Sequence, residues 1–184
     1  MKMEIRSLLA FLKDLKYEAD PEPGWRPRFW KTTLLLPWAL GIGLVLAMLL
    51  GLAEALGPWE LDQHVMEDLL TEYPPALIFL LATVVAPVLE ELLFRGPLWF
   101  FRDSRYFKAA FCGLTILFAL IHLSNFPQLN DLWVMAPLLV SPQFSLGIFL
   151  GFIRVRYGLL YAMLFHAAYN GILLGPALLI YPTP

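Results

Sequence analysis

Five apolar stretches, at residues 32–57, 75–101, 108–123, 132–153 and 158–181, set the terms on which this 184-residue chain can fold. About 20 apolar residues cross the hydrocarbon of a bilayer as a helix. Inside lipid every backbone polar group needs an internal partner, which leaves helices or a closed barrel. The pattern predicts an all-α, polytopic transmembrane helix bundle with about five spans. The third stretch is short for a span. The fourth contains Pro137 and Pro142, so its helix is expected to be kinked or broken. Hydrophobic residues make up 59% of the chain and charged residues 15%, against roughly 45–50% and 25% in soluble domains. A core cannot absorb that excess, because a soluble domain of this length still exposes about 30% of its unfolded surface. The excess must face lipid. A soluble enzyme, a disordered tail and, at a net charge of −2, a nucleic-acid binder with a basic surface are thereby excluded. Cys112 stands alone and can form no internal disulfide.

Residues 1–31 are polar and carry seven Lys/Arg. No apolar stretch of signal-peptide type follows the first residues. Ile5, Leu8, Leu9 and Leu12 recur at helical spacing, which predicts an amphipathic surface helix over residues 3–17. Residues 20–27, rich in Pro and Gly, read as a linker, and Trp25 and Trp30 suit the membrane interface. Residues 32–184 form the bundle, with a catalytic core expected at about 75–175.

Positive charge sorts to one side. After the first seven, Arg95, Arg102, Arg105 and Lys108 cluster beyond the second stretch, and Arg154 and Arg156 separate the fourth from the fifth. Five spans with a cytoplasmic N-terminus would put all 13 Lys/Arg inside. The outer loop 58–74 carries Glu60, Asp62, Glu67, Asp68 and Glu72.

Ionisable groups within the apolar stretches are candidates for function, because burying charge in lipid is costly. They are Glu90, Glu91, Arg95, His122 and His166, joined by the polar Asn170. At 1.5 Å per residue, Glu90 lies about 18 Å from Arg102, His122 about 21 Å from Lys108 and His166 about 15 Å from Arg156. Three antiparallel helices would therefore bring a carboxylate, two imidazoles and a carboxamide to one depth. Glu91 and Arg95 are four residues apart and can pair on one face, which suits a structural ion pair. Glu90 points elsewhere and has no cation on its own helix, as a general base would require. Phe118 and His122 share a face, and so do His166 and Asn170. Pro87 is expected to free the carbonyl of Thr83. His64 reads as solvated surface, and Cys112 and Ser145 as small packing residues.

Three motifs stand in order: EELLFR at 90–95, FALIH at 118–122 and HAAYN at 166–170. They resemble the EExxxR, FxxxH and HxxxN motifs of the CPBP family of intramembrane proteases, the type II CAAX prenyl endopeptidase-like proteins. The resemblance covers about residues 75–175 and leaves out the N-terminal helix and the first span. It implies a helical bundle around a conical cavity open toward the cytoplasm. Glu90 would be the general base, activating a water held between it and His122. Glu91, Arg95 and Phe118 would be supporting residues, and His166 and Asn170 would form the other wall, with Asn170 and His166 as the candidates to stabilise the oxyanion. The substrate would be a membrane-embedded or lipidated peptide. One Glu and two His could also hold Zn²⁺, but HExxH is absent and the reading adopted is metal-free. No GxSG marks a serine enzyme. Two other functions use the same polar set: a proton-coupled carrier and a catalytically silent bacteriocin-immunity or scaffold protein.

Overall fold

A computed structural model describes residues 2–22, 24–57, 69, 72–126 and 133–176. Among them every regular element is helical. Helix α1 (Lys2–Lys13) is followed by α2 (Trp25–Thr33) and α3 (Leu36–Leu56), which run on as one candidate span, Trp25–Leu56. The second span, Pro75–Phe101, combines α4 (Pro75–Leu80), a π-helical turn (Leu81–Val85), α5 (Ala86–Phe94) and a 3₁₀ turn (Gly96–Phe101). The third, Phe107–Asn125, is α6 (Phe107–Ile121) with a 3₁₀ turn at His122–Asn125. The fourth, Trp133–Arg156, is broken as its prolines require: a 3₁₀ turn (Trp133–Met135) and α7 (Ala136–Leu139) end at Val140, and α8 (Ser141–Arg156) begins beyond it. Pro137 and Pro142 each sit in the first turn of the helix they open, where a missing N–H costs nothing.

Four helices are thus long and apolar enough to cross a membrane, and α9 (Leu159–Leu174) is a shorter fifth. Residues 177–181 of the fifth stretch lie outside the described residues. So do His64 and the acids Glu60, Asp62, Glu67 and Asp68 of the expected outer loop.

Helix α8 is the axis of the bundle, packed between α3, α6 and α9. Leu150, Phe152 and Ile153 on it are wholly buried. Leu44, Val45, Met48, Leu49 and Leu52 of α3, and Leu89, Leu92 and Leu93 of α5, are exposed instead, as the apolar excess demanded. With lipid tails outside, packing rather than water exclusion holds such helices together, so small residues mark close approaches. At Gly151 an added Cβ would stand 2.9 Å from Phe111 Cζ on α6. Gly158, at φ 116°, reverses the chain between α8 and α9 in a conformation that L side chains rarely adopt.

The N-terminal segment straps the Lys/Arg-rich end of the bundle. Helix α1 turns Leu8 and Phe11 into the core against Phe111 and Phe152, while Leu9 and Leu12 point outward. The buried face is therefore Glu4–Leu8–Phe11, rotated from the face expected on the apolar spacing alone. Its polar member is satisfied: the Tyr157 hydroxyl donates to Glu4 Oε2 at 2.7 Å. The linker is shorter than expected, because α2 already starts at Trp25. Within it the Asp20 N–H donates to the Arg156 carbonyl at 2.8 Å. Lys31 Nζ pairs with Asp20 Oδ2 at 2.8 Å and with Glu22 Oε2 at 2.7 Å. Burial would raise the Asp20 carboxyl, but the hydrogen bonds from Lys31 and the Glu22 N–H and the charges of Lys31 and Arg156 hold it below its ordinary value.

Two outcomes follow. A carboxyl depressed in the folded state contributes stability above its unfolded pKa, near 4, and loses it as pH falls through the folded value. Thermal unfolding in detergent should show that loss below about pH 4, and Asp20→Asn should lower stability at pH 7 by about 1–2 kcal/mol and flatten the acid limb. Gly151→Ala should drive a methyl into the buried Phe111 ring and cost about 1–3 kcal/mol, read as a lower unfolding temperature.

Candidate active site

The second span delivers its carboxylates through an irregular turn. In the π register of Leu81–Val85 each carbonyl pairs with the N–H five residues on, as the Ala86 N–H does with Leu81 O. The next such pair would be Ala82 with Pro87, which has no N–H. The Ala82 carbonyl is therefore free, and Asn170 Nδ2 donates to it at 2.9 Å. The expectation placed the freed carbonyl at Thr83; the one that Asn170 engages is that of Ala82, one residue earlier, in the turn wound i→i+5. Such π turns are frequent at functional sites. Here it ties α9 to the segment that leads into Glu90.

Beyond that turn the two carboxylates part as their spacing requires. Glu91 is wholly buried and Glu90 lines the cavity. Arg95 Nη1 lies 3.4 Å from Glu91 Oε1, with both side chains almost completely enclosed. The guanidinium carbon stacks 3.8 Å from the centre of the Phe118 ring. Neither Nη of Arg95 has a hydrogen-bond acceptor, so charge and the π face hold it. Phe118, wholly buried, also meets His122 at 4.8 Å and His166 at 5.8 Å between ring centres. It is the common wall of three polar groups.

His166 sits between the two carboxylates. Its Nδ1 donates to Glu91 Oε1 at 3.0 Å, and its Nε2 faces Glu90 Oε2 at 3.7 Å. His122 Nδ1 lies 2.8 Å from the Phe118 carbonyl. A carbonyl only accepts, so Nδ1 carries the proton and Nε2 is left with a lone pair.

Glu90, His122, His166 and Asn170 all line one cavity of about 710 Å³. The depth estimate thus brought together the side chains that do meet. His166 stands 3.7 Å from Glu90, an approach the sequence reading had not specified. Three lining residues escaped the sequence reading. Gln143, beside Pro142 in the broken fourth span, lines the cavity with a buried Oε1 that has no hydrogen-bond partner; a carboxamide within an apolar stretch was its signal. Asn125 and Tyr169 line it too. Arg154, grouped above with the charges that set topology, is buried: its Nε donates to the Arg95 carbonyl at 3.1 Å and its Nη1 to the Tyr17 hydroxyl at 3.2 Å.

The cavity occupies the half of the bundle away from the Lys/Arg clusters. Its wall runs from Glu90 back toward Tyr73 on the second span and from His166 on toward Leu174 on α9. On the other side of the site, Phe94, Leu98, Phe111, Leu150 and Phe152 fill the bundle. The Lys/Arg-bearing end is packed on that side. Helix α6 gives way to a 3₁₀ turn at His122–Asn125 and α8 begins only at Ser141, so among the described residues fewer helices surround the far half.

Among the described residues no three His, Cys, Asp or Glu side chains gather in a metal-holding arrangement. One nitrogen of each imidazole is already committed, to Glu91 and to the Phe118 carbonyl. No step below passes through a metal. A carboxylate, two imidazoles and two carboxamides around an enclosed volume are suited to proton transfer and to stabilising a developing oxyanion.

The comparison with known families decides the class. The family model described as type II CAAX prenyl endopeptidase Rce1-like matches residues 72–172, which include every residue of the cluster. The chain belongs to that family. No curated protein and no solved structure matches it. Membership makes the chain, in general terms, an intramembrane endopeptidase of the CAAX protease type. The matched region begins at the entry to the second span and ends in α9, so the strap of α1 and α2 and the span of α3 lie outside it.

Removing Arg95 should test how the pair is held. Arg95→Ala leaves Glu91 buried with His166 alone and should cost about 3–5 kcal/mol. Combined Glu91→Gln and Arg95→Gln should cost less, because no charge is then stranded. Thermal unfolding of the two purified variants in one detergent gives the comparison.

Proposed function

We propose that this protein hydrolyses a peptide bond of a membrane-associated or lipidated peptide with a water activated by Glu90. The observation that carries the reading is the division of labour between adjacent carboxylates. Glu91 is locked by Arg95 and His166, while Glu90 faces the cavity. A base needs that freedom, because it must reach a water and give the proton up again.

The steps balance on the residues present. Water held by Glu90 and the His122 Nε2 lone pair loses a proton to the Glu90 carboxylate as its oxygen attacks the peptide carbonyl carbon. The resulting oxyanion takes hydrogen bonds from donors at the rim. Asn170 has a second amide proton beyond the one given to Ala82, and a protonated His166 Nε2 is the second donor. The proton on Glu90 then passes to the leaving nitrogen, the C–N bond breaks, and a carboxylic acid and an amine depart. His166 keeps the returning Glu90 oriented. The distribution of the 13 Lys/Arg supports a cytoplasmic N-terminus in this reading.

Glu90→Gln preserves shape but cannot accept the proton. It should fold and lose hydrolysis of a membrane-peptide library by at least about 10²–10⁴-fold. His122→Ala should resemble it. Asn170→Ala should lose about 10²–10³-fold and also unfold at lower temperature, because the Ala82 carbonyl is then left unpaired. Activity should persist under strong zinc chelation. Near-wild-type cleavage by folded Glu90→Gln would remove the mechanism, and abolition by chelation with stoichiometric zinc in the purified protein would replace it.

A further inference from the structure

Arg154 is a buried cation that the proposed steps do not use. Arg156, two residues on, is partly exposed and pairs with Glu18 at 3.3 Å. Arg154 instead gives its hydrogen bonds to two neutral oxygens, the Arg95 carbonyl and the Tyr17 hydroxyl. Burying a guanidinium against neutral partners is costly, so the placement asks for a role. Arg95 caps the C-terminus of α5. Carbonyls there lack a partner within the helix, and the negative end of the helix dipole favours a cation. The Arg95 N–H donates back to the Glu91 carbonyl at 2.9 Å, and its side chain returns to the Glu91 carboxylate. Helix α8 meets the same residue at a second point. An added Cβ at Gly147 would stand 3.2 Å from Arg95 Nη2 and 3.2 Å from Phe118 Cδ1. Gly147 and Arg154 are about two turns apart on one face of α8. That face therefore holds Arg95 at both ends, its guanidinium against Gly147 and its carbonyl on Arg154. Tyr17 is fixed in turn: its ring stands edge-on to Phe107, 5.7 Å between centres. The Glu18 carbonyl and the Asp20 N–H beyond it are both bonded to Arg156. Tyr17 lies outside the family match over residues 72–172.

We infer that Arg154 is a positioning residue for the hydrolysis and that Tyr17 holds it in place, so that the segment ahead of the first span is part of the catalytic framework. The inference rests on the protease reading for the reaction it serves. Arg154 does not line the cavity; it acts through Arg95, Glu91 and His166 on Glu90. Without it the Arg95 carbonyl is released, Arg95 is held by α8 at one end only, and the contacts that fix Glu91 and His166 loosen. The effect falls on the chemical step, because the cavity wall that receives the peptide is unchanged.

The test uses the full chain in detergent, with each variant assayed well below its unfolding temperature. Arg154→Gln should lower kcat about 10–100-fold and leave KM within about twofold. Tyr17→Phe removes one hydroxyl and should lower kcat about 3–10-fold. In the Arg154→Gln background it should change kcat no further, because it acts only through Arg154. Asp20→Asn loosens the same segment at a different bond; it should lower the unfolding temperature and keep the wild-type kcat. Wild-type kcat in folded Arg154→Gln would overturn the inference, as would an Asp20→Asn that loses as much kcat as Tyr17→Phe. Tyr17→Phe, the milder change, decides the matter by the same criterion if Arg154→Gln does not fold. A second arm needs no activity. In a His64→Gln, His122→Gln background His166 is the one histidine left, and its ring nitrogen shifts are read by NMR. They should move on adding Tyr17→Phe or Arg154→Gln and stay on adding Asp20→Asn, and unmoved shifts in the first two would overturn the inference. A wild-type chain that hydrolyses no peptide would fail the protease reading, and the imidazole shifts would still decide whether Arg154 sets His166.

Discussion

Everything at the centre of this protein depends on keeping one carboxylate, Glu91, charged and dry. Alone it would be prohibitively costly in an apolar bundle. Arg95 one turn along and His166 from a neighbouring helix compensate it, and Phe118 covers the guanidinium. Those contacts join the second, third and fifth apolar segments. They also fix the rotation of α5, and that rotation turns Glu90 toward the cavity. The pair is thus structural in itself and sets where Glu90 stands. Arg154 extends the arrangement: it holds the Arg95 carbonyl and the Tyr17 hydroxyl, so the N-terminal strap rests on the same framework.

The second constraint is backbone. A proline inside a span leaves a carbonyl that lipid cannot satisfy. In α8 the chain avoids the difficulty by ending one helix and starting another. In the second span it is met by shifting to a π turn and lending the Ala82 carbonyl to Asn170. One carboxamide therefore closes a backbone defect and stands beside the site. Loss of Asn170 should consequently be felt in stability as well as in rate, unlike loss of a pure oxyanion donor.

Much of the fold was legible because lipid simplifies the code. Apolar stretches marked the spans, and Pro137 and Pro142 marked the break. Helical arithmetic brought Glu90, His122, His166 and Asn170 to one depth, where they share a cavity. What it could not give was azimuth between helices. The partner nearest to Glu90 is His166, and no spacing within one helix encodes that. The carbonyl that Asn170 engages is that of Ala82, one residue before the Thr83 expected. The face of α1 turned because Glu4 has a hidden partner, Tyr157, which lies 153 residues away. Arg154 read as a topology charge and is buried in the framework, and Gln143 carried too weak a signal to stand out. The packing of Phe94, Leu98, Phe111 and Phe152, which closes the Lys/Arg-bearing end, had no signal in the spacing.

The central claim is that Glu90 passes a water to the peptide carbonyl and does not itself attack. A single turnover in H₂¹⁸O, with protein in excess over a membrane peptide and the new carboxyl terminus read by mass spectrometry, addresses it directly. One ¹⁸O atom in the product of that first turnover is the expected result. A first-turnover product carrying only ¹⁶O would show that an enzyme oxygen had been transferred, and would contradict the account.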